Sequence, residues 1–160
     1  MFLWKIRFSI GSGFSFGAGP FFQFVSDQKI KSLCDVNGDF IHDLANMAPV
    51  FKYDEANKIV SFSDLLIWMI DEYGEQRNTL SGISSNMQTM SWTGSPIPLY
   101  NDMIRVLTPY ISHRYHTVQQ WAKQEIEQLQ DVIKIVAANI NAVIIFLGEA
   151  SYPIIKSFAF

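Results

Sequence analysis

TVQQWAKQEIEQLQDVIKIVAANINAVIIFL, residues 117–147, is the stretch that decides the fold. Within it Ile126, Leu129, Ile133, Val136, Ile140, Val143 and Leu147 recur at alternating steps of three and four. That spacing lines one face of a helix and forms a heptad seam, which a strand, with its period of two, cannot produce. Gln119, Gln120, Lys123, Glu125, Glu127, Gln128 and Asp131 occupy the other faces of the first half. The second half adds Ile135, Ile144, Ile145 and Phe146, so the helix turns from amphipathic to apolar toward its C-terminus. Gly148 predicts its end, and Pro153 predicts that it does not resume. The following SYPIIKSFAF reads as a packed apolar tail.

A helix over 117–147 is about 45 Å long at 1.5 Å per residue. That exceeds the diameter of a small domain, so the seam is expected to meet protein subunits, either copies of this chain or others. Leaving Ile133, Val136, Ile140, Val143 and Leu147 in water forgoes roughly 1.5–3 kcal/mol per side chain. Asn139 flanks the seam, where a buried Asn can set the register of a coiled coil.

The composition agrees with a chain made to be covered. Of its 160 residues, 49% are hydrophobic and only 17% are charged. Typical soluble domains carry about 25% charged residues. Net charge is −3, and Lys and Arg form no cluster, so nucleic acid is not expected as a partner. Cys34 is the single cysteine, which excludes an intrachain disulfide and a cysteine-based zinc site.

Toward the N-terminus, Phe2, Trp4, Ile6 and Phe8 alternate with Leu3, Lys5, Arg7 and Ser9, the period of a strand. Gly11-Ser12-Gly13 and Gly17-Ala18-Gly19-Pro20 break the chain, and Phe22 and Phe24 are expected to resume a strand. Residues 1–25 thus read as a Phe/Gly-rich strand, hairpin or arm, with Phe14, Phe16, Phe21, Phe22 and Phe24 as its apolar residues. Such an arm either inserts into a neighbouring subunit or a lipid interface, or joins the chain's own core. Gly and Pro are too frequent here for a spanning helix, and 135–148 is too short for one.

Residues 26–160 read as one helical domain. Ser26 or Asp27 caps a helix that Asn37-Gly38 interrupts, and a second helix runs from Asp39 through Asn46 until Pro49. VFKY (50–53), a DEAN turn (54–57) and KIVSF (58–62) predict a β-hairpin. Ser61, with Asp64 three residues on, is expected to cap the next helix, with Leu65, Trp68, Met69 and Glu72 along adjacent turns. Gly74 predicts its stop. The Ser-, Thr-, Asn- and Gln-rich residues 75–96 are expected to be a loop, mobile or held by a partner. A short helix is expected from Asn101 or Asp102, limited by Pro109. The fold class is α+β, mainly helical, with an N-terminal strand or hairpin, a short central hairpin and a long C-terminal helix.

The chemical motifs are all incomplete. Asp35, Asn37 and Asp39 have the spacing of the opening of a calcium loop, but Phe40 stands where Gly is required and Asn46 where a bidentate Glu is required. The loop around Asp54 carries Lys58 where a second such loop needs Gly. His113 and His116, with Asp102 or His42, could hold a metal only without any supporting motif, so they read as histidines at a helix start. Gly11, Gly13, Gly17 and Gly19 lack the third glycine of a dinucleotide fingerprint, since Phe16 occupies that position. No nucleophile elbow occurs, and the Asp71/Glu72 pair at a helix end faces solvent more readily than substrate. No catalytic residue, cofactor or metal is therefore expected. The expected role is a non-catalytic structural or assembly subunit of a larger complex, such as a viral particle or a membrane-bound assembly. The alternative is a small membrane-active or membrane-peripheral protein whose apolar ends enter lipid.

Overall fold

The computed structural model describes residue 22, residues 24–89 and residues 94–155, with residues 140–155 described for their backbone alone. The described elements are α1 (Asp27–Val36), α2 (Phe40–Met47), β1 (Phe51–Tyr53), β2 (Ile59–Phe62), α3 (Asp64–Tyr73), α4 (Arg77–Gln88) and α5 (Ile97–Leu107). A short 3-10 helix (Thr108–Ser112) and α6 (His116–Ile155) follow. The protein is mainly helical, with β1 and β2 paired in a short antiparallel hairpin, as its sequence pattern predicts.

Two compact units emerge. Of the described residues, the first holds those up to 53 and 60–89, and the second holds 54–59 and those from 94 onward. In the first, α1 buries Ile30 and Cys34, and α2 buries Ile41, Leu44 and Ala45. Phe51 and Phe62 stack across the hairpin with ring centroids 5.4 Å apart. Helix α3 buries Leu65, Leu66, Met69 and Ile70. That stripe differs from the expected one, because Trp68 is half-buried and Glu72 exposed. Trp68 instead carries Lys31 Nζ 5.1 Å from its ring centroid and meets the edge of Tyr73.

The cap of α3 also differs from expectation. Ser63, not Ser61, is the N-cap, and its Oγ accepts from the Leu66 N–H at 3.2 Å. The same hydroxyl donates to the Pro49 carbonyl at 2.5 Å, and the Ser63 N–H donates to Val50 at 2.9 Å. Ser61 remains in β2, with its hydroxyl on the Phe62 carbonyl. Because β2 runs through Phe62, Ser61 stays within the strand, and Ser63 is the serine that reaches both the Pro49 carbonyl and the first turn of α3.

The largest correction concerns residues 75–96. Residues 77–88 form the regular helix α4, which buries Thr79, Leu80, Gly82, Ile83 and Met87. Leu80, Ile83 and Met87 have helical spacing, but the polar residues between them mask it. Packing against α2 overrides their weak propensity. A Cβ on Gly82 would stand 2.9 Å from Ala45 Cβ, so only glycine admits this approach without displacement. Asn86 completes the contact, donating through Nδ2 to the carbonyls of Ala45 (3.2 Å) and Ala48 (2.7 Å) at the end of α2.

In the second unit, α5 begins at Ile97, earlier than Asn101, because Pro98 sits in the first turn, where its missing N–H costs nothing. Pro109 similarly opens the 3-10 helix. Helix α6 packs on α5 and the 3-10 helix. Met103, Val106 and Leu107 are buried from α5, and Val118, Trp121, Ala122 and Ile126 from α6. Arg105 ties α5 to the hairpin tip, donating through Nη2 to the Ile59 carbonyl and to Asp102 Oδ1.

Helix α6 continues through Gly148 and Pro153 to Ile155, past both expected stops. An interior glycine costs about 1 kcal/mol, too little by itself to end a helix. Pro153 withholds one donor from the carbonyl four residues earlier, and the helix ends two residues after it. Phe22 and Phe24 have helical backbone and not the expected strand. Two alternating aromatics are too few to set a period. The other expectations for residues 1–21, including Phe14, Phe16 and Phe21, lie outside the described residues, as do Met90, Trp92 and the final segment 156–160.

Candidate functional site

The seam of α6 is the candidate interaction site. Helix α6 has 40 residues, about 60 Å at 1.5 Å per residue. The 11 residues of α5 span about 16 Å and the five of the 3-10 helix about 10 Å, so these two elements match less than half of its length. The first residue of the seam, Ile126, is buried. From there the burial lapses. Leu129, Ile133 and Val136 are half-buried, and no side chain from 127 to 139 is buried. Val132 and Ile135, beside the seam, are 38% and 61% exposed. Lys134 and Asp131 pair at 2.8 Å on a solvated face, a contact worth little to stability. Asn139 is exposed. Ile140, Val143 and Leu147 lie on the continuing helical backbone, and their side chains are outside the described residues.

Of the arm residues, Phe22 is half-buried and Phe24 is 85% exposed. An aromatic side chain so exposed leaves most of its apolar surface in water.

Asp35, Asn37 and Asp39 are all exposed at the turn between α1 and α2. Backbone bonds define that turn: the Asn37 N–H donates to Leu33, and the Phe40 N–H to Asn37. Asp54 is engaged by its own loop, with Oδ1 accepting from the N–H groups of Ala56 (2.9 Å) and Lys58 (2.8 Å). Asn57 takes φ 57°, a left-handed conformation that Asn tolerates. This Asx-type turn closes the hairpin and leaves the carboxylate occupied.

The histidines of the proposed helix start have separate fates. His113 Nδ1 accepts from the Tyr115 N–H at 3.1 Å, and its carbonyl accepts from Gln119 Nε2 at 2.7 Å. Its ring lies between Tyr110 and Tyr115, with centroids 6.1 and 5.4 Å away. It therefore shapes the turn into α6. His116 is exposed. Asp102 pairs with Arg105 at 3.2 Å, and His42 belongs to the first unit. Among the described residues, no group of three or more His, Cys, Asp and Glu side chains could hold a metal ion.

Cys34 is buried, and that burial, with Asp35 adding, pushes its thiol up to about 11. At neutral pH it is a protonated, poorly nucleophilic group. Burial also raises the Tyr73 phenol, helped by Cys34, Asp35 and Glu72. Asp71 is half-buried and Glu72 exposed near the end of α3.

Sequence reasoning missed Gly82, Asn86 and Ser63, which organise the first unit. The signal for Gly82 was an isolated glycine between Leu80 and Ile83, where small size permits close helix approach. Asn86 offered none, because its partners lie about forty positions away in sequence.

Among the described residues, no helix is long and apolar enough to cross a membrane. Comparisons with known protein families, curated proteins and solved structures find no match to this chain.

Proposed function

We propose that this chain is a non-catalytic structural or assembly subunit that joins a larger complex, such as a viral particle or a membrane-bound assembly, through the seam of α6. One observation carries the reading. Among the described residues, helix α6 outruns the elements that pack on it, and its apolar seam continues into a stretch, 127–139, with no buried side chain. Apolar surface in that state gains roughly 25 cal/mol for each Å² that a partner removes from water. Helical partners suit a heptad seam, because its side chains interlock with those of a facing helix.

Size-exclusion chromatography with light scattering tests this. The wild-type chain is expected to form a defined oligomer without lipid. Ile133→Asp is expected to stay folded by circular dichroism and lose that oligomer. A wild-type monomer at all accessible concentrations, or an oligomer indifferent to Ile133→Asp, overturns the reading. The second reading, a membrane-peripheral protein, is favoured by the exposure of Phe24 beside a Phe-rich segment. It expects the chain to sediment with liposomes and to need them for recovery from solution.

A further inference from the structure

His42 on α2 and Thr79 on α4 each carry a buried polar atom, Nδ1 and Oγ1, with no hydrogen-bond partner among the described residues. Thr79 is wholly buried. Orphaned buried donors and acceptors cost stability, and in folded proteins they are usually met by protein groups or an ordered water.

The helix crossing brings these two positions to one level. A Cβ on Gly82 falls 2.9 Å from Ala45 Cβ and 3.1 Å from Asn46 Nδ2, so Gly82 faces the line between those two residues. At about 100° per residue, His42 lies on that same line, one turn earlier. Asn86, one turn after Gly82, reaches the carbonyls of Ala45 and Ala48, farther along α2. The two helices therefore run in the same sense here. One turn before Gly82, Thr79 is carried to the level of His42. The Asn46 side chain is turned back onto the His42 carbonyl at 2.7 Å.

We infer that His42 and Thr79 form one internal polar site on the α2–α4 crossing, and that it holds a single water molecule bridging Nδ1 and Oγ1. The water donates to Nδ1 and accepts from the Thr79 hydroxyl. Two polar partners are the minimum for a buried water, and both are supplied by groups otherwise unpaired. The site requires α2 and α4 to meet in this register, since a slip of either helix by one residue rotates its polar atom about 100° away.

A double-mutant cycle on the full chain, read by urea denaturation, tests the inference. Thr79→Val keeps the shape and removes the hydroxyl, and His42→Leu removes both ring nitrogens. Their combined effect on the unfolding equilibrium constant is expected to fall short of the product of the single effects by about tenfold. His42→Asn keeps a polar atom at the Nδ1 position and is expected to lose less than His42→Leu. Effects that multiply to within about twofold, or an Asn variant no better than Leu, overturn the inference. A crystal structure supplies the second measurement, independent of whether the variants fold. Solvent density within hydrogen-bonding distance of both atoms supports the site. Separate protein partners for the two atoms overturn it.

Discussion

The α2–α4 crossing and the middle of α6 use similar residues under opposite conditions. At the crossing, Leu44, Ala45 and Ile83 are fully buried, and Asn86 satisfies the carbonyls that α2 leaves unpaired at its end. Between 127 and 139, Leu129, Ile133 and Val136 are only half-buried, and Ile135 projects into solvent. The stronger heptad pattern belongs to the less buried region. Periodicity thus reports which face of a helix is apolar, while burial requires a partner that periodicity does not supply.

The largest test of this contrast is Leu44→Ala. It removes a fully buried side chain from a packed crossing and is expected to cost about 2–5 kcal/mol in urea or thermal unfolding. A loss under about 1 kcal/mol would mean that the crossing is far looser than its burial implies.

Gly82→Ala sharpens the comparison at the point of closest approach. Alanine is the better helix former by about 1 kcal/mol, so an exposed site would gain stability. Here the new Cβ meets Ala45 Cβ at 2.9 Å, a short side chain that cannot swing aside. Overpacking is expected to prevail, with a net loss of about 1–3 kcal/mol. A stabilised variant would show that α2 and α4 separate easily.

The smallest effect is expected at Ile135→Ala. In the unassociated chain it should change unfolding stability by no more than about 0.5 kcal/mol, because most of the side chain is already in water. The same substitution measured at rising protein concentration should cost progressively more if a partner helix covers this surface. A large, concentration-independent loss would place Ile135 in the chain's own core and erase the contrast.

Much of the architecture was legible because it is local. The Asp54–Asn57 turn, the stop at Gly74, the break at Asn37-Gly38 and the heptad run of α6 depend on neighbours a few positions apart. Residues 77–88 were illegible for the complementary reason. Their Ser, Asn and Thr residues favour turns, and what holds them helical is α2, some forty positions away. The candidate seam was legible as a stripe, but its division into a buried start at Ile126 and a half-buried continuation was not.

The sequence by itself determined the helical period of α6, the hairpin and the mainly helical class, because hydrophobic spacing and turn chemistry act over one or two turns of chain. Tertiary structure alone decided that Ser63 displaces Ser61 as the cap, that Gly82 is required by Ala45, and that Asn86 closes the end of α2. Each of those outcomes depends on atoms meeting across long separations in sequence. Such meetings are set by packing geometry, on which local propensity carries no information.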